Sequence, residues 1–211
     1  MKKILILFFL PIFSFAQEAS TDNSDSKGLI FGVNYGINQD LLYSDEDINT
    51  FSGDMSSEIL DSEKGYQISV AYKYEKITFG VNFSNGKLKG ENEVEYFNSD
   101  FSERNLYVEY DIFKKSKYEF FISGSYGEID YESKRFLLYD DTELTINSPS
   151  GTSTKRNFGG GVRIYLADNF LLVFSSSLNL IDDDGLDGWD YGTDLDKYSF
   201  HSLGLRYYLN L

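Results

Sequence analysis

The chain contains no cysteine, so no disulfide braces it and it has no residue for N-terminal lipidation. Proline occurs twice and histidine once. Beyond the first sixteen residues there is no continuous apolar run of membrane-spanning length, which excludes a helical membrane protein. Positive charge is scarce: 19 Lys and Arg stand against 34 Asp and Glu, a formal balance of −15. Phosphate would be repelled, so nucleic acid is not expected as a partner. Mean hydropathy is only −0.34, yet aromatic residues make up 17% of the chain, a combination that suits a membrane protein with half of its strand residues in lipid.

The first residues read as an export signal. Lys2 and Lys3 form the charged start, Ile4 to Phe13 the apolar stretch, and Ser14-Phe15-Ala16 a small-x-small cleavage site. The expected divisions are a signal peptide at 1–16, a flexible periplasmic tail at 17–27 and one domain at 28–211. Loss of Lys2 and Lys3 moves the balance from −15 to −17.

Eight segments then alternate apolar with small polar residues. In the last, Leu203, Leu205, Tyr207, Leu209 and Leu211 share one face, while Ser202, Gly204, Arg206, Tyr208 and Asn210 share the other. Comparable segments begin near Leu29, Tyr66, Ile77, Asn105, Tyr118, Asn157 and Phe170. The connections are alternately tight (Glu75-Lys76, Lys114 to Lys117, Ala167 to Asn169) and long, near 38–64, 86–102, 133–152 and 183–195. The third long connection carries the apolar run Phe136-Leu137-Leu138-Tyr139, and Pro149-Ser150-Gly151 is expected to turn an extended hairpin there. The pattern predicts an all-β, eight-stranded, antiparallel up-and-down transmembrane β-barrel with both termini and the tight turns in the periplasm. A soluble barrel with its apolar face inside would carry Lys, Glu and Thr outside; the polar face here is Gly, Ser and Asn, which fit a narrow lumen.

With that signal, that rhythm and the final strand Phe200 to Leu211, the mature chain resembles the small outer-membrane β-barrel superfamily of gram-negative bacteria, the OmpA/OmpX/OmpW-like barrels. The alternating terminal strand, with an aromatic at Tyr207, resembles the signal read by the barrel-assembly machinery, although Leu211 stands where a terminal Phe is usual. The resemblance implies an outer-membrane location after export, contact with lipid and lipopolysaccharide, and the assembly machinery as a partner during biogenesis. It does not imply one function. Lipid A-modifying barrels carry a His and a Ser on the outer face near the rim. Here His201 lies on that face, but Ser202 has the opposite parity, and Ser199 stands in reversed order.

Seven charges point inward by parity: Lys73, Arg163 and Arg206 against Glu75, Glu109, Asp111 and Glu119. They are expected to gather in the periplasmic half with Tyr107, Tyr165, Tyr208 and Phe121 and to pair, because a charge in a narrow lumen is paired or hydrated. The pairing would make either a plug or an ion path. Eight strands enclose room for little more than side chains, which favours the plug. The fourth long connection holds Asp182, Asp183, Asp184, Asp187 and Asp190 among glycines. Such oxygen-rich turns suit a hard cation such as Ca²⁺, although the distal Glu of an EF-hand loop is missing. A solvated acidic surface is the favoured reading of the same residues. Trp189 and Tyr191 offer an anchor for an extracellular protein partner or for the membrane rim. The expected role is non-enzymatic: a closed structural or surface-interaction barrel displaying acidic extracellular loops. A small porin-like or hydrophobic-solute channel is the alternative, and a lipid A-modifying enzyme the remote one.

Overall fold

A computed structural model describes residues 27–40, 59–61, 63–91, 95–139, 142–183, 185–186 and 196–211. The expected signal peptide, the tail as far as residue 26 and much of the first and fourth long connections lie outside the described residues. Ten strands are described: β1 (Lys27–Asp40), β2 (Ile59–Asp61), β3 (Glu63–Tyr74), β4 (Ile77–Glu91), β5 (Glu95–Lys115), β6 (Tyr118–Tyr139), β7 (Thr142–Asn147), β8 (Ser150–Ala167), β9 (Phe170–Ile181) and β10 (Lys197–Asn210). Eight of them close a barrel in the cyclic order β1-β3-β4-β5-β6-β8-β9-β10, with every neighbour antiparallel and β10 returning to β1. The short strands β2 and β7 pair with β4 and β6 at one end.

The two faces follow the alternation. Phe31, Val33, Tyr35, Ile68, Phe79, Val108, Ile122, Phe158, Phe174 and Leu205 stand exposed on the outside, a continuous apolar belt that a water-soluble monomer would not carry. Inside, Asn34, Ser69, Asn82, Asn105, Asn179 and Ser202 are buried.

Register fixes the shape. From Asp111 the cross-strand pairs run to Phe121, Gly161, Ser175, Ser202, Gly36, Gly65 and Gly86, and return to β5 at Phe101. One circuit therefore displaces the register by ten residues, from 111 to 101, the stagger that tilts the strands. The six residues between the two phenylalanines are all Gly or Ser. Their lack of bulk is required: a Cβ at Gly36 or Gly65 would meet the Phe200 ring, and one at Gly86 the Phe101 ring.

The strands are longer than expected at one end. The stretch near 86–102 is mostly strand, since β4 continues to Glu91 and β5 starts at Glu95. Likewise β6 continues through much of 133–152 to Tyr139, where β7 folds back on it. The reason is an inversion of polarity. Below Leu106 and Tyr126 the strands are apolar outside and polar inside. Beyond them Arg104, Asp100, Glu128, Glu132 and Lys134 point outward, and Phe101, Phe97, Ile129 and Tyr131 point inward. This is the alternation of a strand in water, so a search for apolar outward faces stops at the boundary. The third hairpin turns between β6 and β7, not at Pro149-Ser150-Gly151; the Pro149 carbonyl instead accepts from Ser133 N at 2.9 Å where β7 passes into β8.

At the opposite end the connections are two-residue turns, Glu75-Lys76, Ser116-Lys117 and Asp168-Asn169. Glu75 and Ser116 both have φ of 54°, the left-handed region.

Candidate functional site

The lumen is closed at two levels. The lower closure lies toward the two-residue turns and joins six of the seven charges expected there. Lys73 Nζ reaches Asp111 at 2.6 Å and Glu119 at 3.0 Å. Arg163 Nη1 bridges Asp111 and Glu119, each at 2.5 Å, and its Nη2 donates to Glu109. Arg206 grips Glu109 with both terminal nitrogens, at 2.7 and 2.8 Å, the strongest geometry for a guanidinium and a carboxylate. The Tyr165 hydroxyl donates to Glu119 at 2.8 Å, and the Arg163 guanidinium lies 4.2 Å from the Phe121 ring centre. Three positive and three negative groups, all buried, leave no net charge. Glu75 is the exception: strand β3 ends at Tyr74, so Glu75 sits exposed in the turn and takes no place in the lumen. Parity counting had carried it one residue past the end of its strand.

Above this layer is a chamber of about 70 Å³ lined by Asn34, Ser69, Asn82, Asn105, Ser175 and Asn179 among others. It has room for about five waters. The buried side-chain carbonyls of Asn34 and Asn105 meet no protein donor; they press against Gly204 and Gly127, where a Cβ would have no room.

The upper closure was not foreseen. Glu103 is 2.5 Å from Lys155 Nζ, and it accepts hydrogen bonds from Tyr198 and Ser84. Lys155 donates to the Tyr198 hydroxyl at 3.1 Å. Strands β4, β5, β8 and β10 thus meet across the lumen. The signal for it in the sequence is a pair of inward-parity charges just beyond the lipid-facing belt.

A dry cap lies over this pair. Leu88, Phe97, Phe101, Ile129, Tyr131, Ile181, Leu186 and Tyr198 form one buried cluster. Leu186 comes from the fourth long connection and is 2% exposed. Its carbonyl accepts from Ser133 Oγ at 2.8 Å and from Ser99 Oγ, and its amide donates to Asp196 at 2.6 Å. Gly185 is pressed under the Tyr131 hydroxyl, with no space for a Cβ.

The aspartates of that connection diverge. Asp182 turns outward to Arg156, while Asp183 turns inward and accepts from Tyr131 at 2.7 Å. Asp184, Asp187 and Asp190 lie outside the described residues. Among the described residues no three acidic or histidine side chains converge as a metal site would require. On the outer rim Arg104 pairs with Asp130 at 2.8 Å, and Lys87 with Asp100 at 2.6 Å. The hydrogen bond and charge of Asp100 hold the Lys87 ammonium above its ordinary range. His201, exposed on the lipid-facing side, meets neither Ser202 nor Ser199. Its Nδ1 lies 2.9 Å from Ser176 Oγ on β9, while Ser202 turns inward to Ser175 at 2.7 Å.

No protein-family model and no curated protein sequence matches the chain. Solved structures do. Neisserial surface protein A shares 12% identity at a TM-score of 0.57, over 86% of this chain and 97% of that one. The outer membrane protease OmpT of Escherichia coli shares 8% at 0.50, over 92% and 100%. The attachment invasion locus protein Ail of Yersinia pestis shares 14% at 0.48, over 88% and 100%. Identities this low carry the fold and nothing more. Together with the apolar belt and the closed eight-strand order, the likeness to Neisserial surface protein A establishes the fold as a closed, eight-stranded antiparallel β-barrel of the membrane type.

Proposed function

We propose that this chain is a closed, non-conducting outer-membrane barrel whose work is done by its extracellular end. Exported by the signal at 1–16, it is inserted by the barrel-assembly machinery. It sits among outer-membrane lipid and lipopolysaccharide with its two-residue turns in the periplasm. The observation that carries this reading is the double closure: an ion network around Arg163, then the Glu103–Lys155 pair beneath a dry cap. Such a lumen offers no continuous wet path. The extended β4, β5, β6 and β8 then serve as a rigid platform that holds acidic loops away from the membrane for an extracellular protein partner.

The test is conductance of the refolded mature protein in a planar bilayer, after its heat-modifiable band confirms folding. A silent barrel is the expected result. Reproducible discrete steps would make it a channel. The enzymatic alternative is tested separately: His201→Ala is expected to leave the lipid A mass spectrum unchanged, and any altered acylation would replace the non-enzymatic reading.

A further inference from the structure

The chain is strongly acidic, but its charge is not spread evenly along the barrel axis. Among the described residues, the end bearing the two-residue turns carries Lys27, Lys76, Lys114, Lys115 and Lys117. Against these five stand Glu75 and Asp168. Among the described residues positive charge leads at this end, against the sign of the whole.

The backbone draws the lysines together. Asp111 N donates to the Lys76 carbonyl at 2.8 Å, which seats the β3–β4 turn against β5, above the β5–β6 turn at Ser116-Lys117. Tyr165 N donates to the Lys117 carbonyl at 2.9 Å and ties that turn to β8. Lys115 is the register partner of Tyr118, whose ring faces lipid. The ammonium of Lys117 lies 5.6 Å from the Tyr118 ring centre, and that of Lys27 lies 4.9 Å from the ring of Tyr74, also lipid-facing. Lys114 differs: it lies 4.5 Å from Tyr165 at the mouth of the lumen. Four lysines therefore border the apolar belt. Two stand over aromatic rings, which seat at the level of lipid headgroups.

We propose that Lys27, Lys76, Lys115 and Lys117 form a docking girdle for anionic phospholipid headgroups. This girdle would select phosphatidylglycerol-type lipids over zwitterionic ones in the leaflet facing the periplasm. The placement in that leaflet rests on the orientation given under Proposed function; the preference for anionic headgroups does not. Charge complementarity and the junction with the aromatic belt both favour a headgroup as the occupant, since an acidic protein would need no apolar belt beside it.

The experiment starts with the mature protein refolded in phosphatidylethanolamine vesicles containing a minor share of phosphatidylglycerol. Native mass spectrometry, after release into detergent, then counts the retained lipids. Phosphatidylglycerol is expected to be enriched on the order of fivefold for each lysine that reaches a headgroup. The K27Q/K76Q/K115Q/K117Q variant is expected to lose the enrichment. The K64Q/K87Q/K134Q variant, altered at the other end, is expected to keep it, as is the four-lysine set changed to arginine. Equal retention of both lipids by the unaltered chain, or undiminished enrichment in the glutamine set, overturns the proposal. The comparison of the two lipids on the unaltered chain decides the matter even if the glutamine set does not refold. Because the chain has no cysteine, Ser116→Cys labelled with an impermeant maleimide on intact cells reads the orientation on its own. Labelling there would overturn the periplasmic placement and leave the headgroup preference to the lipid count.

Discussion

Lys155 of β8 and Glu103 of β5 form a 2.5 Å ion pair inside the barrel, their side chains 4% and 3% exposed, and Tyr198 of β10 bonds to both. A buried pair of this kind is costly to break from one side, because the remaining charge is stranded. Glu103→Gln or Lys155→Met alone is expected to lower unfolding stability by about 3–5 kcal/mol. The double replacement should cost much less than the sum, since neither charge is left behind. Urea titrations of the four proteins in lipid vesicles would measure the coupling, and strict additivity would remove the pair as a structural lock.

Two closures in series should hide each other's loss. Arg163 touches three carboxylates of the lower network, and Tyr198 belongs both to the upper pair and to the cap. Arg163→Ala and Tyr198→Ala are each expected to remain silent in a planar bilayer, whereas the combination conducts. Steps from either single variant would show that one closure alone seals the lumen.

The cap depends on one aliphatic side chain from a long connection. Leu186→Ala removes buried apolar volume and should cost about 2–5 kcal/mol locally. The loss is expected to appear as faster cleavage of the fourth connection in limited proteolysis, while the barrel keeps its heat-modifiable band. Unchanged cleavage would mean that the three hydrogen bonds to the Leu186 backbone suffice to hold it.

Ser116 holds a φ of 54° in a two-residue turn, where a side chain crowds the backbone. Ser116→Gly should stabilise the folded barrel by about 1 kcal/mol, because glycine adopts this conformation without steric cost. The urea midpoint measures it, and a downward shift would argue that the turn's conformation is not strained.

Much of this was readable along the chain. The lipid-facing row Leu203, Leu205, Tyr207 and the inward Arg206 and Arg163 follow from a period of two, which each residue obeys whatever its neighbours do. The lower ion network was legible for the same reason, with Glu75 misplaced because a strand end is set by its turn and not by its parity. The upper pair and the cap were not legible. Glu103 and Lys155 lie beyond the lipid-facing belt, and the inverted polarity around Phe101 and Ile129 reads as a loop when lipid is assumed outside.

Sequence by itself determined which side chains face lipid and which face the lumen, because alternation is a local property of an extended backbone. Only the closed structure decided who meets whom inside. A ten-residue stagger around eight strands brings Arg206 to Glu109 and Lys155 to Glu103. That stagger belongs to the hydrogen-bond register of the whole ring, which no single strand encodes. It also decided that Leu186 would close the outer end: a leucine amid aspartates finds a dry site only where the extended strands have already built one.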